Sequence, residues 1–360
     1  MKLLLCGYYG FKNTGDEAIL ESLINGFRER GNIIDLTVLS NTPQQTAIKF
    51  NVKSVSRHNL MRIVFELLKC DGFALGGGGL LQDRTSRRSF LYYAALTGLA
   101  QLLNKKTFII AQGIGPIGSK INRIILKKII EKSTVVTVRE KKSYDLVKAL
   151  NSPKTMLMET VDPALSLQPK NISSLLKQEG INFNKRPLFG IAVRPYKMWT
   201  KVLPRLAEAC DLIVKKFNAE IVFIPLQYPG DIAASEKVID KMQQPAKLIR
   251  GDYSAAEILG LIKEMDYLLG MRLHSLIFAA ASLVPAIGIS YDPKVQAFMD
   301  EFSLPWVEQA QLNPDEIVRM FKQLQDNREG VIKSLDFTRK KLYGKTILNF
   351  DAVITPMRQR

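Results

Sequence analysis

The sequence predicts two α/β domains in tandem, each built on a buried parallel sheet. Three observations predict it. The chain has 360 residues, which at roughly 150 per domain makes about two domains. Short leucine-rich or β-branched runs alternate with helix-length amphipathic stretches, the pattern of parallel strands joined by crossover helices. The alternation pauses once, near the middle, and then restarts. Apolar residues are 46% of the chain, enough to fill two cores, so a disulfide-stapled or disordered protein is excluded.

Taken in order, the buried strands of the first domain fall at residues 2–5, 33–39, 72–75, 107–111 and 134–138. The stretch 168–187 collects Pro169, Asn171, Ser173, Ser174, Gly180, Asn182, Asn184 and Pro187, a composition suited to a linker with at most one short helix. Strands resume at 188–193, 221–224, 267–269 and 286–289, with helices around 202–216, 254–263 and 273–282. From Asp315 to Arg360 the period is helical and rich in Lys and Arg, predicting terminal helices that pack across both domains. The expected division is therefore 1–168, a linker at 169–187, 188–314, and terminal helices at 315–360.

Composition excludes further classes. No apolar run approaches the ~18 residues of a membrane span, and Gly7, Gly10, Asn13 and Asp16 interrupt the apolar start before a signal-peptide core can form. A cytoplasmic protein is expected. Cys6, Cys70 and Cys210 lack metal-ligand or disulfide spacing and read as small core residues. With only His58 and His274, a His-rich metal centre or an HExxH protease is ruled out. The net charge of +17 attracts nucleic acid, anionic lipid headgroups or phosphorylated substrates, without choosing among them.

Several motifs carry chemistry. Gly10 to Glu17 reads GFKNTGDE, which places Asp16 and Glu17 where a phosphate-binding loop needs Lys and Ser or Thr. It is either a capping box from Thr14 to Glu17 or a ligand loop, since the turn after a first strand is where open α/β sheets bind ligands; Asn13, Gly15 and Asp16 are its candidate contacts. The run Gly76 to Gly79 follows a strand and lets backbone approach a ligand, but it lacks the third glycine of a dinucleotide fingerprint. Gln82, Asp83, Arg84, Arg87 and Arg88 then form either a solvated basic loop or an anion-contacting lid, with Gly77, Gly78, Gly79, Gln82, Asp83 and Arg84 as candidate binding residues. Arg139 ends a strand and opens a helix, a favourable anion position. The segment GMRLHS gives the strongest local signal: Arg272 offers bidentate recognition of carboxylate or phosphate, and His274 two residues on exchanges a proton near neutral pH. Tyr291-Asp292-Pro293-Lys294 follows the next strand and puts Lys294 on the same edge.

The set GFKNTGDEA, the polyglycine loop, VRE, VDPAL and GMRLHS resembles the polysaccharide pyruvyl transferase family over about residues 1–300, most nearly the cell-wall enzymes of the CsaB type. The resemblance implies two Rossmann-like domains facing across a cleft in a GT-B-like arrangement, and no cofactor. It implies phosphoenolpyruvate (PEP) as donor and, as product, a cyclic pyruvyl ketal on an amino sugar, N-acetylmannosamine in a lipid-linked cell-wall precursor. It also implies that Arg139 and Arg272 hold PEP, that His274 is the general acid and that Lys294 takes part. A lipid-linked acceptor further implies contact with the anionic inner leaflet, with Arg84, Arg87, Arg88, Arg339, Lys340, Lys341 and Lys345 as candidate cations.

Two other readings compete. A nucleotide-sugar glycosyltransferase of the same fold matches segment 254–285, including Asp266, but its ribose-binding carboxylate would fall at Phe278. A nucleic-acid-binding protein needs exposed aromatic platforms, whereas Phe, Tyr and Trp total 8% and fall mostly in apolar periodic runs.

Overall fold

A computed structural model describes every residue except 32, 85, 151–154, 182–185, 196–198 and 360, and leaves the side chain of residue 199 undescribed. The chain divides into two compact units: Met1–Phe11, Asp16–Ser166 and Leu342–Arg360 make the first, Lys12–Gly15 and Leu167–Lys341 the second.

The first unit runs β1 (Lys2–Cys6), α1 (Thr14–Glu29), β2 (Asp35–Ser40), α2 (Pro43–Phe50), β3 (Lys53–Ser56), α3 (Leu60–Lys69), β4 (Gly72–Gly78), α4 (Arg87–Leu102), β5 (Lys106–Gln112), α5 (Lys120–Glu131), β6 (Val135–Val138), α6 (Lys141–Ala149) and β7 (Met156–Glu159). Its sheet is parallel, in the order β3-β2-β1-β4-β5-β6-β7. Sequential strands β3 and β4 lie on opposite sides of β1, so the right-handed crossover rule sends α3 to α6 to one face. Ile63 and Leu67 of α3, Phe90 and Ala94 of α4, and Leu126 and Ile130 of α5 accordingly share one core with Leu75 and Ile109.

The second unit runs α7 (Ser173–Gln178), β8 (Leu188–Ala192), α8 (Trp199–Phe217), β9 (Glu220–Phe223), α9 (Gly230–Ile239), β10 (Ala246–Leu248), α10 (Ala255–Lys263), β11 (Tyr267–Gly270), α11 (Leu273–Ala281), β12 (Ala286–Ser290), α12 (Pro293–Glu301), β13 (Trp306–Glu308), α13 (Pro314–Asp326) and the long α14 (Arg328–Arg358). The sheet, again parallel, is ordered β10-β9-β8-β11-β12-β13. Both sheets reverse their strand order next to the first strand of the unit, at β1/β4 and at β8/β11. Ligands of such sheets bind outside the carboxyl ends at those switch points.

Four strands were not expected from sequence: β3, β7, β10 and β13, the outermost strands of the two sheets. The domain division also differs from the expected one. Residues 167 and 168, expected in the first domain, and 169–181 of the expected linker count with the second unit, the latter containing α7, while residues 182–185 of that linker lie outside the described residues. Of the terminal helices, α13 and α14 as far as Lys341 count with the second unit, and α14 from Leu342 with the first. All three cysteines are free and buried; burial pushes the Cys6 thiol up to about 12, with Arg57 opposing the shift.

Candidate functional site

The carboxyl edge of the second sheet gathers the densest set of polar side chains. β11 ends at Gly270, where an added Cβ would lie 2.6 Å from Ser275 Oγ, so glycine alone lets α11 turn back this tightly. Arg272 becomes the residue capping α11, and His274 falls in its first turn. The Arg272 guanidinium is only 16% exposed, and Asp231 is fully buried. Its Nε donates to Asp231 Oδ2 at 2.9 Å and its Nη2 to Oδ1 at 2.5 Å.

The planar fork of Arg272 thus grips Asp231 of α9. Of its five N–H groups, two are taken by Asp231 and three have no partner among the described residues. Asp231 Oδ2 also accepts from the backbone N–H groups of Leu226 at 3.1 Å and Gln227 at 3.0 Å. One carboxylate thus ties the loop after β9 to the start of α11.

The segment Lys12–Gly15 belongs to the same assembly. Thr14 N–H donates to Leu226 O at 2.8 Å, Tyr228 N–H to Lys12 O at 3.1 Å, and the Asn13 amide to Gln227 Oε1 at 3.1 Å. Lys12 pairs with Asp252 at 3.0 Å. Thr14 is the first residue of α1 rather than the residue before it, and Asn13, which precedes the helix, accepts the Gly15 N–H on its Oδ1 at 3.0 Å. Glu17 accepts from Gly10 N–H at 2.7 Å. A Cβ on Gly15 would sit 2.0 Å from His274 Nδ1. Glycine there makes room for the imidazole, and two residues far apart in sequence meet as expected candidates of one site.

Lys294 stands in the first turn of α12, half-buried, its backbone N–H on Asp292 Oδ1 at 3.1 Å. Sequence reasoning missed Arg194, which follows β8. Its guanidinium carbon lies 4.4 Å from the centroid of the Tyr291 ring, and its Nε is buried with no hydrogen-bond partner among the described residues. Arg194, Arg272 with His274, and Lys294 thus leave the carboxyl ends of three adjacent strands, β8, β11 and β12. The topological switch point, where β8 and β11 diverge in order, was the signal that could have found Arg194.

The remaining candidates lie in the first unit. Arg139 follows β6, its side chain 7% exposed, and its Nη1 pairs with Asp162 Oδ2. Burial works against its charge, but Asp162, Glu140 and Asp16 more than compensate and hold the guanidinium above its ordinary range. Arg139 is therefore paired with a carboxylate of its own unit. A Cβ at Gly76 would meet Tyr9 Oη at 2.5 Å and one at Gly77 would meet Ile19 at 2.2 Å, so these two accommodate protein, not ligand. Gly78, at φ +90°, has Asp16 Oδ1 as its nearest neighbour at 3.2 Å, and Gly79 is open. Buried Gln112 braces the loop, donating to Gly77 O at 2.8 Å and accepting from Leu80 N–H at 3.1 Å.

Asp83 is engaged within its own unit. Its carboxylate accepts from Gly118 N–H at 2.8 Å, Ser119 N–H at 3.0 Å and the Asn122 amide at 2.8 Å, holding the start of α5. The Gly118 bond leads the interactions that lower its pKa. Gln82 is half-buried and Arg84 exposed. Among the described residues no group of His, Cys, Asp and Glu is arranged to hold a metal ion.

Comparison with known proteins fits this geometry. The model of the polysaccharide pyruvyl transferase family matches residues 13–293, a span that contains Asn13, Arg139, Arg272 and His274 and stops one residue short of Lys294. The amylovoran biosynthesis protein AmsJ of Erwinia amylovora is 21% identical over 364 residues, covering 85% of this chain and 87% of its own. Among solved structures, the UDP-GlcNAc 2-epimerase of Neisseria meningitidis bound to UDP-GlcNAc superposes with a TM-score of 0.68 at 14% identity, covering 99% of this chain and all of that one. HepE of Anabaena in complex with UDP-glucose gives 0.64 at 9% identity, covering 99% and 100%. At such identities the likeness concerns the fold alone, which is the GT-B-like pair of Rossmann-like units expected from sequence.

Proposed function

The chain belongs to the polysaccharide pyruvyl transferase family, and from that premise we propose that it transfers the pyruvyl group of PEP to two hydroxyls of an amino sugar, releasing phosphate. The acceptor in this reading is N-acetylmannosamine in a lipid-linked cell-wall precursor, and the product a cyclic ketal. One observation carries the proposal: His274 in the first turn of α11, between cations from neighbouring strand ends and over a glycine that leaves it room.

The chemistry follows from that set. PEP brings a carboxylate and a phosphate; the three free N–H groups of Arg272, together with Arg194 and Lys294, supply donors for both, and the first turn of α11 adds its partial positive charge. His274 donates a proton to the methylene carbon, and C2 becomes electrophilic. A sugar hydroxyl attacks C2 and loses its proton. A second hydroxyl of the same sugar then displaces phosphate from C2, its proton leaving with the phosphate, and the ketal closes. Neither oxidant nor reductant enters, and no step calls for a metal. Asp231 acts on the guanidinium of Arg272, not on substrate, and is a positioning residue.

The fold neighbours that bind UDP-sugars favour a nucleotide-sugar reading at the level of fold only. Phe278, where a ribose-binding carboxylate would fall, is fully buried in the core face of α11 and offers neither a carboxylate nor access. Calorimetry tests the choice: PEP binding, weakened by Arg272→Lys because a single ammonium cannot both hold Asp231 and offer further N–H donors in a fixed plane, supports the proposal, and tight UDP-sugar binding without PEP binding defeats it.

A further inference from the structure

Three helices of the first unit begin along the carboxyl edge of its sheet, because each follows a strand and all three lie on one face. Their first turns share a composition unusual for exposed surface. On α3, Leu60 and Met61 are exposed, Met61 by 84%, beside exposed Arg62. On α4, Arg87 and Arg88 precede exposed Leu91, and on α5, Lys120 and Arg123 flank Ile121 and Ile124, both more than half exposed. These are not frayed core residues: the same helices bury Ile63, Phe90 and Leu126 on their inner side. Helix α3 is thus apolar on its outer as well as its inner face, which in water is favourable only if the outer face meets another apolar phase.

Charge identifies that phase. Residues 57–64, 84–91 and 119–127 contain no Asp or Glu, so within these stretches the exposed apolar side chains are interleaved with cations, and the carboxylate one turn on, Glu66, is buried and pairs with Arg62 at 3.5 Å. We propose that this row of helix starts docks on an anionic lipid bilayer, with Leu60, Met61, Leu91, Ile121 and Ile124 entering the headgroup boundary and the arginines and lysines meeting lipid phosphates. A nucleic acid would satisfy the cations and leave the apolar tips in water. Among the described residues no helix is long and apolar enough to cross a membrane, so the contact is interfacial. This surface uses none of the cations of α14 that sequence alone suggested, two of which, Arg339 and Lys340, pair with Asp336.

Sedimentation of the full chain with phosphatidylcholine vesicles, with and without phosphatidylglycerol, tests the proposal without any substrate, and so independently of the pyruvyl-transfer reading. Binding is expected only with phosphatidylglycerol and falls with salt. The variant Met61→Asp, Ile121→Asp, Ile124→Asp is expected to lose at least about tenfold in partitioning. Arg88→Glu, Lys120→Glu, Arg123→Glu is expected to lose about fivefold or more per cation; two of these put a carboxylate in a first helical turn, where it is tolerated. Lys333→Glu, Lys340→Glu, Lys341→Glu on α14 is expected to bind as the parent does. Thermal unfolding of each variant separates misfolding from lost docking. The proposal is overturned by absence of binding at low salt, by equal binding to neutral vesicles, by anionic binding that the three aspartates leave intact, or by loss with the α14 reversal alone.

Discussion

Asp231→Asn removes one charge at the centre of the second unit's polar cluster, and its effect can be worked from the geometry. All four partners of the carboxylate are donors: Arg272 Nε and Nη2 and the backbone N–H groups of Leu226 and Gln227. An amide must therefore turn its own NH₂ toward one of them, most cheaply toward Arg272 Nη2, which sits alone on Oδ1. The ion pair is worth about 4 kcal/mol at ~4 Å between charge centres and an effective dielectric of about 20. Because Arg272 keeps 16% exposure, water recovers part of this, leaving a loss of about 3 kcal/mol. For a unit of this size that lowers the melting temperature by about 6–12 °C. Calorimetric unfolding measures it directly. In activity the guanidinium loses its orientation, and kcat/KM for PEP should fall about 10²-fold. Adding Arg272→Met to Asp231→Asn should restore stability, since no uncompensated charge remains, and leave activity absent. A melting temperature within about 2 °C of the parent, with KM unchanged, refutes the argument that Asp231 holds Arg272 for the substrate.

His274→Ala should lower turnover by about 10²–10⁴-fold while PEP affinity, read by calorimetry, is retained; an active variant removes histidine as the acid. Gly15→Ala should lower both activity and stability: its Cβ would lie 2.0 Å from His274 Nδ1, an overlap that outweighs the helix preference of alanine over glycine of about 1 kcal/mol, so kcat and melting temperature should fall together, and an unchanged kcat would show that the ring position is not used. Asp83 has a lowered pKa in the folded chain, so its contribution is present above its unfolded value of about 3.9 and is lost as pH falls through the lower folded value. Asp83→Asn should accordingly reduce the melting temperature at neutral pH and match the parent at strongly acid pH; an equal deficit at both removes the carboxylate bonds to Gly118 and Ser119 as the cause.

The parts of the fold that were legible in sequence are those buried on both faces. Strands β1, β4, β5, β8, β11 and β12 are enclosed and read as continuous apolar runs. The four missed strands, KSVS, MLME, AKL and WVE, are sheet edges with at most one buried residue each, and neither a run nor a clean alternation marks them. The site divides in the same way. Arg272, His274 and Lys294 were visible because each stands just past a legible strand. Their partners were not: Asp231 lies 41 residues from Arg272 and Asp162 23 from Arg139, pairings made by topology. Asp162 was in view within the VDPAL motif, without a role. Arg194 also stands past a legible strand, but only the strand order shows that this strand flanks the switch point.

The central claim is tested most directly by incubating the protein with PEP and a lipid-linked N-acetylmannosamine acceptor while following both phosphate release and the acceptor's carbon spectrum. One phosphate released per acceptor converted, with a new quaternary ketal carbon bearing a methyl and a carboxylate and no product from the His274→Ala variant, is the predicted result. Consumption of a UDP-sugar with release of UDP, and no phosphate from PEP with any saccharide acceptor, would contradict it.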